Sequence, residues 1–277
     1  MSAIRVRGLR KAYRGAVAVD GIDLDVGSGE VFALLGPNGA GKSTTVEVLE
    51  GHRRRDGGEV LVLGQDPGRP SGAWRARIGI VLQSSKDAAE LTVREAVAHF
   101  AGYYPDPRAT DEVIDLVGLT GKAAARAGTL SGGQRRRLDV ALGIVGRPEL
   151  LFLDEPTTGF DPEARRRFWR LIRLLADEGT TILLTTHYLD EAEALADRVA
   201  VIARGRIVAE GAPTTLGGRA TAEATVRWLG SDGPQVRRTA EPALLIAELA
   251  RHGEPAELVV SRPTLEDVYL DLIGERA

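Results

Sequence analysis

One short segment constrains the fold of this chain more than any other. Residues 36–43 read Gly-Pro-Asn-Gly-Ala-Gly-Lys-Ser and lie between the apolar run Val31–Leu35 and a segment expected to be helical. This pattern between a strand and a helix is typical of a loop that wraps around a polyphosphate. Its glycines let the backbone curl until several N–H groups point inward, and the helix adds the positive end of its dipole. The segment therefore predicts a nucleoside triphosphate site.

The side chains of this loop have separate expected tasks. Lys42 is expected to reach the β- and γ-phosphates and the Ser43 hydroxyl to ligate Mg²⁺, while the two threonines that follow bond the α-phosphate side. The alternative, a glycine-rich turn without a ligand, is disfavoured because the pattern and its setting agree. The candidate nucleotide-binding residues are Gly36, Asn38, Gly39, Gly41, Lys42, Ser43, Thr44 and Thr45.

Three further polar residues follow apolar runs that we interpret as buried strands. Leu150–Leu153 ends in Asp154 and Glu155, and His187 follows the run 180–185. In an open parallel α/β sheet, ligands bind at the carboxyl ends of the strands. We therefore expect Asp154 to hold Mg²⁺, Glu155 to accept a proton from the attacking water, and His187 to contact the γ-phosphate. Taken alone, Asp-Glu-Pro can also simply end a strand, and a lone histidine is usually structural.

The order of the elements indicates the fold class. The first 85 residues are rich in strand-like runs, helix formers follow, and strands and helices then alternate. We expect an α/β fold with a mostly parallel sheet flanked by helices, an N-terminal antiparallel β part, and an inserted helical subdomain at about residues 86–145. The main domain is expected to span residues 1–216. A Gly/Pro/Thr-rich linker at 211–218 leads to a small α+β domain at 217–277.

The composition excludes several classes of protein. The chain has 277 residues and no cysteine, which rules out disulfides, zinc–thiolate sites and cysteine nucleophiles. Its longest apolar run has five residues, far fewer than the roughly 20 that span a bilayer, and the N-terminus lacks the apolar stretch of a signal peptide. The formal net charge of −3 gives no reason to expect nucleic acid as a partner. Arginine triplets at 53–55, 135–137 and 165–167 are interpreted as solvated helix or turn faces; the alternative for 135–137 is a contribution of positive potential near residues 130–134.

A second glycine-rich segment decides the class. Residues 130–134 read Leu-Ser-Gly-Gly-Gln before a helix, and a serine with two glycines at a helix N-terminus makes a second anion site. Here the chain resembles the nucleotide-binding subunit of ATP-binding cassette (ABC) transporters, over about residues 3–216, which implies a P-loop NTPase core. The motifs of that family follow in the same order: Gly36–Thr44 as Walker A, Gln83 as the Q-loop, Leu130–Gln134 as the signature, Leu150–Glu155 as Walker B, Asp161 as the D-loop and His187 as the switch.

The resemblance implies a role for each motif. Two copies of the chain face head to tail around two ATP molecules, so that Ser131 of one copy touches the γ-phosphate held by Lys42 of the other. Tyr13 stacks on adenine, and Gln83 senses Mg²⁺ and water. Without the resemblance, Tyr13 can equally be a tyrosine of the core and Gln83 an exposed glutamine at a strand end. The implied sets are Glu155, His187 and Gln83 for catalysis; Ser43, Gln83 and Asp154 for Mg²⁺; and, beyond the phosphate loop, Tyr13, Ser131, Gly132, Gly133, Gln134 and Asp161 for ATP.

A finer resemblance is to drug-export ATPases of the daunorubicin-resistance type, carried by residues 51–59, 186–192 and 263–270. It implies a separate transmembrane permease of the ABC-2 type, export of a drug or other small hydrophobic compound, and a peripheral location on the cytoplasmic side of the cell membrane. The alternative is a non-transport ABC ATPase of DNA repair or translation. The helical segment also carries side chains that either dock the permease or pack the segment's own core: His99, Phe100, Tyr103 and Tyr104.

Overall fold

The computed structural model describes residues 2–81, 89–230, 233–251 and 253–274, so Gln83, the predicted Q-loop residue, lies outside the described residues. The strands are β1 (Ser2–Tyr13), β2 (Ala16–Gly27), β3 (Val31–Leu35), β4 (Gly57–Val62), β5 (Ile78–Val81), β6 (Leu150–Asp154), β7 (Thr181–Thr186), β8 (Arg198–Ala203), β9 (Arg206–Gly211), β10 (Ala224–Gly230), β11 (Gly233–Thr239) and β12 (Ala256–Ser261). The helices are α1 (Lys42–Leu49), α2 (Gly72–Arg75), α3 (Val93–Ala101), α4 (Thr110–Leu116), α5 (Gly132–Ile144), α6 (Pro162–Asp177), α7 (Leu189–Leu195), α8 (Pro242–Ala250) and α9 (Leu265–Ile273).

A six-stranded sheet forms the centre of the structure, in the order β5-β6-β7-β3-β8-β9. The first five strands of this order run parallel, and β9 pairs with β8 in the antiparallel sense. Strands β3 and β6 are buried on both faces, which explains their nearly continuous apolar sequences. The carboxyl ends of the parallel strands share one edge of the sheet, and the loops that follow β3, β6 and β7 lie there.

The two faces of the central sheet carry separate cores, because alternate side chains of a strand point to opposite sides. Phe32 and Leu34 of β3 pack with the antiparallel sheet β2-β1-β4 and with α1 and α2. Val31, Ala33 and Leu35 of the same strand pack with the helices α3 to α7. The predicted α/β class, with its N-terminal antiparallel part, is therefore confirmed.

Most predicted elements agree with the structure in position. Strand β3 covers the apolar run Val31–Leu35, and the segment expected to be helical after the phosphate loop forms α1. The segment 130–134, expected to stand before a helix, overlaps the start of α5, because Ser131 caps the helix and both signature glycines are helical. Two elements of the described residues form where the sequence shows no clear helix or strand pattern. These are the short α2, and β11, whose sequence Gly-Pro-Gln-Val-Arg-Arg-Thr lacks an apolar alternation.

The C-terminal segment forms a three-stranded sheet in the order β11-β10-β12, with α8 packed on β10. Its last helix, α9, packs instead on α7 and β8, and Leu265 of α9 belongs to the core of the main body. Leu216, within the predicted linker, is buried in that core as well. The division into domains at residues 216 and 217 stays a prediction.

Within the described ranges, every helix is too short or too polar to cross a membrane. The longest of these helices, α6, has 16 residues and carries five arginines. A helical span needs roughly 20 predominantly apolar residues.

Candidate nucleotide site

Three connections converge at the carboxyl edge of the central sheet. Leu35, the last residue of β3, pairs with Thr186 of β7, and Asp154, the last residue of β6, pairs with Thr185. This register places the phosphate loop, the two carboxylates after β6 and the histidine after β7 side by side. The parallel order of the strands thus assembles at one edge what the sequence distributes over about half of the chain.

The phosphate loop needs glycine at two positions for steric reasons. A Cβ on Gly36 would lie 2.4 Å from the Ile202 carbonyl oxygen, and a Cβ on Gly41 would lie 2.5 Å from that of Ala18. Gly41 also has φ of +109°, which residues with a side chain rarely adopt. Helix α1 begins directly after Gly41, and its first N–H groups have no partners inside the helix. Close packing against β2 and β8 therefore shapes the loop for an anion.

Lys42 folds back over the loop. Its Nζ donates to Gly36 O at 2.6 Å and to Pro37 O at 3.1 Å, and the residue is only 5% exposed. Burial lowers the pKa of Lys42, whereas the charges of Glu155 and Asp154 act in the opposite direction. An anionic ligand would stabilise this buried ammonium more than carbonyls do, because hydrogen bonds between charged groups are roughly twice as strong as neutral ones.

The three hydroxyl residues after Lys42 differ in exposure. Ser43 is exposed, Thr44 is half-buried and Thr45 is fully buried. The Thr45 hydroxyl donates to Gly41 O at 2.8 Å within the first turn of α1. Ser43 and Thr44 therefore face the loop opening, whereas Thr45 supports the helix. A contact between Thr45 and the α-phosphate stays a prediction.

A cleft of about 460 Å³ lies beside the phosphate loop. Its size falls in the range of small-molecule and cofactor sites. Tyr13, at the end of β1, contributes its ring, which lies 5.2 Å from the guanidinium carbon of Arg53 and 5.5 Å from Lys11 Nζ. The structure thus brings residues predicted from three separate segments together in one cleft. The cleft is lined by Tyr13, Ala18, Asn38, Gly39, Gly41, Lys42, Ser43, Thr44 and Glu155.

The two carboxylates after β6 have different settings. Asp154 Oδ1 accepts a hydrogen bond from the Thr185 hydroxyl at 2.5 Å. Glu155 has a left-handed backbone with φ of +45°, and its N–H donates to Thr185 O at 3.1 Å. Such a conformation costs a non-glycine residue about 1–2 kcal/mol, and strain of this kind is concentrated at functional sites. The turn directs Glu155 into the cleft, where its Oε1 lies 3.3 Å from Nδ1 of His187.

The signature residues lie apart from this cleft. The Ser131 hydroxyl accepts from Gln134 N at 3.3 Å, and the Ser131 N–H donates to Gln134 Oε1 at 3.0 Å, so both groups cap α5. Ser131 and Gly132 are exposed, and Gly133 and Gln134 are half-buried. None of these four residues is among the described residues that line the cleft. Asp161 caps α6 in a similar way by accepting a backbone N–H at 2.8 Å.

Arg136 is a charged residue near the site that no motif identifies. It belongs to a triplet that we interpreted as a solvated face, but it is only 7% exposed, so this interpretation is wrong for Arg136. Its neighbours Arg135 and Arg137 are half-buried. The triplet occupies successive positions of α5, which point about 100° apart around the helix. The middle arginine therefore points into the protein, a direction that only the packing of α5 shows.

Glu50, at the end of α1, is a second charged residue that no motif identifies. It makes the free energy of unfolding depend on pH. It is 5% exposed, and burial raises its pKa to about 8, with Asp154 and Glu47 adding to the rise. The folded protein therefore keeps this proton to a higher pH than the unfolded chain, and stability falls as pH rises from the ordinary value of 4.5 towards 8.

Replacing Glu50 with glutamine is expected to remove this part of the pH dependence. Between about pH 6 and about pH 8, the wild type should lose on the order of 2 kcal/mol more of its free energy of unfolding than Glu50→Gln does. Urea unfolding of both proteins at the two pH values measures the difference. Glu59→Gln, which changes an exposed carboxylate, is the control. Equal slopes for wild type and Glu50→Gln would contradict the raised pKa.

The fold and the site define a phosphate-loop nucleotide-binding protein. A sequence model of the family described as ABC transporter matches residues 19–158. The chain belongs to this ABC transporter family and is an ATP-binding, ATP-hydrolysing cassette. The family, the ATP ligand and the ATPase activity predicted from the motifs are therefore confirmed.

Relatives match the chain over nearly its whole length. It is 41% identical to the daunorubicin/doxorubicin resistance ATP-binding protein DrrA of Streptomyces peucetius, over 99% of the chain and 93% of that protein. It is 39% identical to the Nod factor export ATP-binding protein I of Rhizobium sp. (strain N33), over 98% of the chain and 97% of that protein. These similarities extend beyond the cassette and include the C-terminal segment.

Solved structures confirm the fold. The ADP conformation of MJ1267, an ATP-binding cassette of an ABC transporter, aligns with a TM-score of 0.67 and 26% identity, covering 76% of this chain and 91% of that one. A structure described as an ATP binding subunit of an ABC transporter aligns with a TM-score of 0.74 over 98% of this chain and 99% of that one. At 21% identity, the second alignment shows the fold alone, but it includes the C-terminal sheet.

Proposed function

We propose that ATP hydrolysis by this chain powers export through a separate membrane permease. The observation that carries the proposal is the cleft at the carboxyl edge of the sheet, which combines a phosphate loop with a carboxylate and a histidine in hydrogen-bond reach of each other. Relatives of nearly the same length are named for drug resistance and for Nod factor export. We propose a drug or other small hydrophobic compound as cargo, an ABC-2-type permease as partner, and a peripheral position on the cytoplasmic side of the membrane.

Binding of the triphosphate is assigned to the loop and to Lys42. The backbone N–H groups of the loop and the N-terminus of α1 surround the phosphates, and Lys42 exchanges its carbonyl partners for phosphate oxygens. Mg²⁺ fits the donors present, because the Ser43 hydroxyl and the Asp154 carboxylate are the oxygen ligands that this ion prefers. When bound, the ion neutralises charge on the β- and γ-phosphates. Tyr13 offers its ring to the adenine.

Proton transfer is assigned to Glu155. Its side chain is 15% exposed and reaches the cleft, so it can accept the proton of a water that attacks the γ-phosphate. His187 lies 3.3 Å from Glu155 and is 42% exposed, which lets it hold the carboxylate and contact the γ-phosphate. Gln83, the proposed sensor of Mg²⁺ and water, is outside the described residues.

The second half of the site is assigned to another copy of the chain. Ser131 is exposed and lies at the N-terminus of the 13-residue helix α5, away from the cleft of its own chain. An exposed, capped helix N-terminus is suited to a phosphate group that arrives from outside. We therefore propose a head-to-tail homodimer in which Ser131 to Gln134 of each copy, together with Asp161, close the cleft of the other.

A groove on the helical side is the proposed docking place of the permease. It measures about 310 Å³ and lies between the end of α1, β5, α3 and α5. Phe100 and Tyr104 line it, whereas Tyr103 is 68% exposed and His99 stands beside it with their rings 5.3 Å apart. Phe100 and Tyr104 also pack against the core, as the second interpretation expected, and docking of the permease stays a proposal. A mixed aromatic and apolar groove suits an amphipathic helix.

Replacing Ser131 with arginine is expected to stop turnover while each copy still binds ATP. The bulky cation blocks the phosphate that the partner copy presents but leaves the phosphate loop of its own chain unchanged. Calorimetry with ATP should give a Kd within about threefold of wild type, a difference under 1 kcal/mol, while steady-state hydrolysis falls to background. Ser71→Arg is the matched control, because Ser71 caps α2 by accepting from Trp74 N at 3.1 Å outside the site.

Loss of ATP binding in Ser131→Arg would contradict action in the partner's site.

Export itself is tested by purifying the chain from membranes and identifying its partners by mass spectrometry. A protein with several membrane spans should co-purify, and cells that produce both proteins should retain less of a fluorescent hydrophobic drug. Co-purification of ribosomes or DNA-repair proteins instead would favour the non-transport alternative.

A further inference from the structure

The buried Arg136 holds the main chain on both sides of Glu155. Its Nη2 donates to Asp154 O at 2.6 Å, and its Nε donates to Pro156 O at 3.2 Å. Glu155 lies between these two carbonyls and has the left-handed backbone described above. A single guanidinium therefore fixes the peptide units that set where the Glu155 carboxylate points.

The position of Arg136 along α5 adds a second connection. It lies five residues after Ser131, which caps the same helix. At 1.5 Å per residue, the two residues are about 7.5 Å apart along the helix axis. A continuous helix of this length is stiff, so a shift of its N-terminus moves the guanidinium as well. Helix α5 thus connects Ser131, which is proposed to act in the partner's site, with the end of β6 in the site of its own chain.

The electrostatic surroundings of Arg136 favour a specific role over simple packing. Burial lowers its pKa, and the charges of nearby carboxylates oppose that effect. Removing a guanidinium from water is costly, and an apolar side chain of similar volume often stabilises a fold as well or better. Arginine presents its donors in a rigid, planar fork, whereas lysine carries a compact charge on a flexible stem. The opposing carboxylates belong to Asp139, Asp154, Glu191 and Glu155.

We propose that Arg136 is a positioning residue that ties the catalytic turn at Glu155 to the signature helix. When Ser131 binds the nucleotide of the partner copy, this contact sets the position of α5. Arg136 moves with α5, and its hydrogen bonds then set the position of the peptide units around Glu155. Each copy then hydrolyses its own ATP only when its signature helix is engaged across the dimer. The proposal rests on the proposed ATP sandwich.

The test compares Arg136→Met and Arg136→Lys with wild type in the full-length chain. For Arg136→Met we expect kcat to fall about 10- to 100-fold, the scale of a misplacement of about 1 Å, while the Kd for ATP stays within about twofold. Arg136→Lys should lie between, because lysine keeps the charge but its flexible stem does not reproduce the fixed geometry of the guanidinium fork. ATP-dependent dimers of Arg136→Met should still form, and should persist longer than those of wild type, in sedimentation experiments with ATP and Mg²⁺.

Arg108→Met is the control for the loss of a buried arginine. Arg108 is 6% exposed and pairs with Glu112 and Glu178 away from the cleft. The variant Arg108→Met should lower the melting temperature without changing kcat more than about twofold. The proposal is overturned if Arg136→Met keeps the turnover of wild type, or if its ATP affinity and kcat fall together. If wild type and Glu155→Gln both fail to form dimers with ATP, the sandwich fails, whereas the split between kcat and Kd still tests Arg136.

Discussion

Replacing Glu155 with glutamine is expected to slow ATP hydrolysis at least about a hundredfold, the scale of losing a general base. Glutamine has the size of glutamate and can keep the contact with His187, 3.3 Å away in the wild type. It cannot accept the proton of the attacking water, because its amide is not a base. The phosphate loop and Lys42 are untouched, so ATP should bind with nearly the affinity of wild type. The ATP-bound dimer should therefore accumulate.

This prediction is measured by steady-state release of phosphate and by calorimetry with ATP. Glu163→Gln is the matched control, because Glu163 is a 79% exposed carboxylate in the first turn of α6. It should leave turnover unchanged. If Glu155→Gln hydrolyses ATP as fast as wild type, another group is the base, and the assignment of Glu155 is wrong.

Replacing Lys42 with alanine is expected to abolish tight ATP binding. The ammonium is 5% exposed, so its bond to a phosphate oxygen is formed largely out of water. Removing one partner of such a charged pair costs about 2–5 kcal/mol, which corresponds to a rise in Kd of at least about 30-fold. Hydrolysis should fall with binding, unlike in Glu155→Gln. The two variants therefore separate binding from chemistry.

Lys42 also holds two carbonyls of the loop, so the alanine variant needs controls for folding. Lys42→Met keeps the aliphatic stem and should bind ATP as poorly as Lys42→Ala if the charge is what matters. Lys122→Ala removes an exposed lysine and should bind ATP normally. Melting temperatures of the three variants test whether the loop stays folded. Normal nucleotide affinity in Lys42→Ala, measured by calorimetry, would contradict the assignment of the phosphate loop.

The residues of the site that could be predicted are those whose chemistry is local. A phosphate loop works through backbone N–H groups within eight consecutive residues, so its glycines and Lys42 are visible as a pattern. Ser131 and Asp161 cap their helices by bonding residues three positions away, which is also a local relation. The strand ends at Asp154 and His187 follow from apolar runs. Each of these features depends on neighbours in the sequence.

The residues that could not be predicted depend on contacts between distant segments. Arg136 and its partner Pro156 are 20 positions apart, and nothing in three successive arginines tells which one is buried. Glu50 resembles any acidic residue at a helix end, and its raised pKa comes from packing and from Asp154. Strand β11 is mostly exposed and forms because β10 offers it a pairing edge. In each case the partner lies on another element.

The amino-acid sequence alone determined the class of this protein, its nucleotide, and most of the side chains proposed to touch that nucleotide, because these follow from short-range bonding and from the apolar pattern. Only the tertiary structure decided which charges are buried and which carbonyls they hold. Burial and long-range hydrogen bonds arise when separate elements pack against each other, so the link from Ser131 through Arg136 to Glu155 becomes visible only when α5 lies against the end of β6.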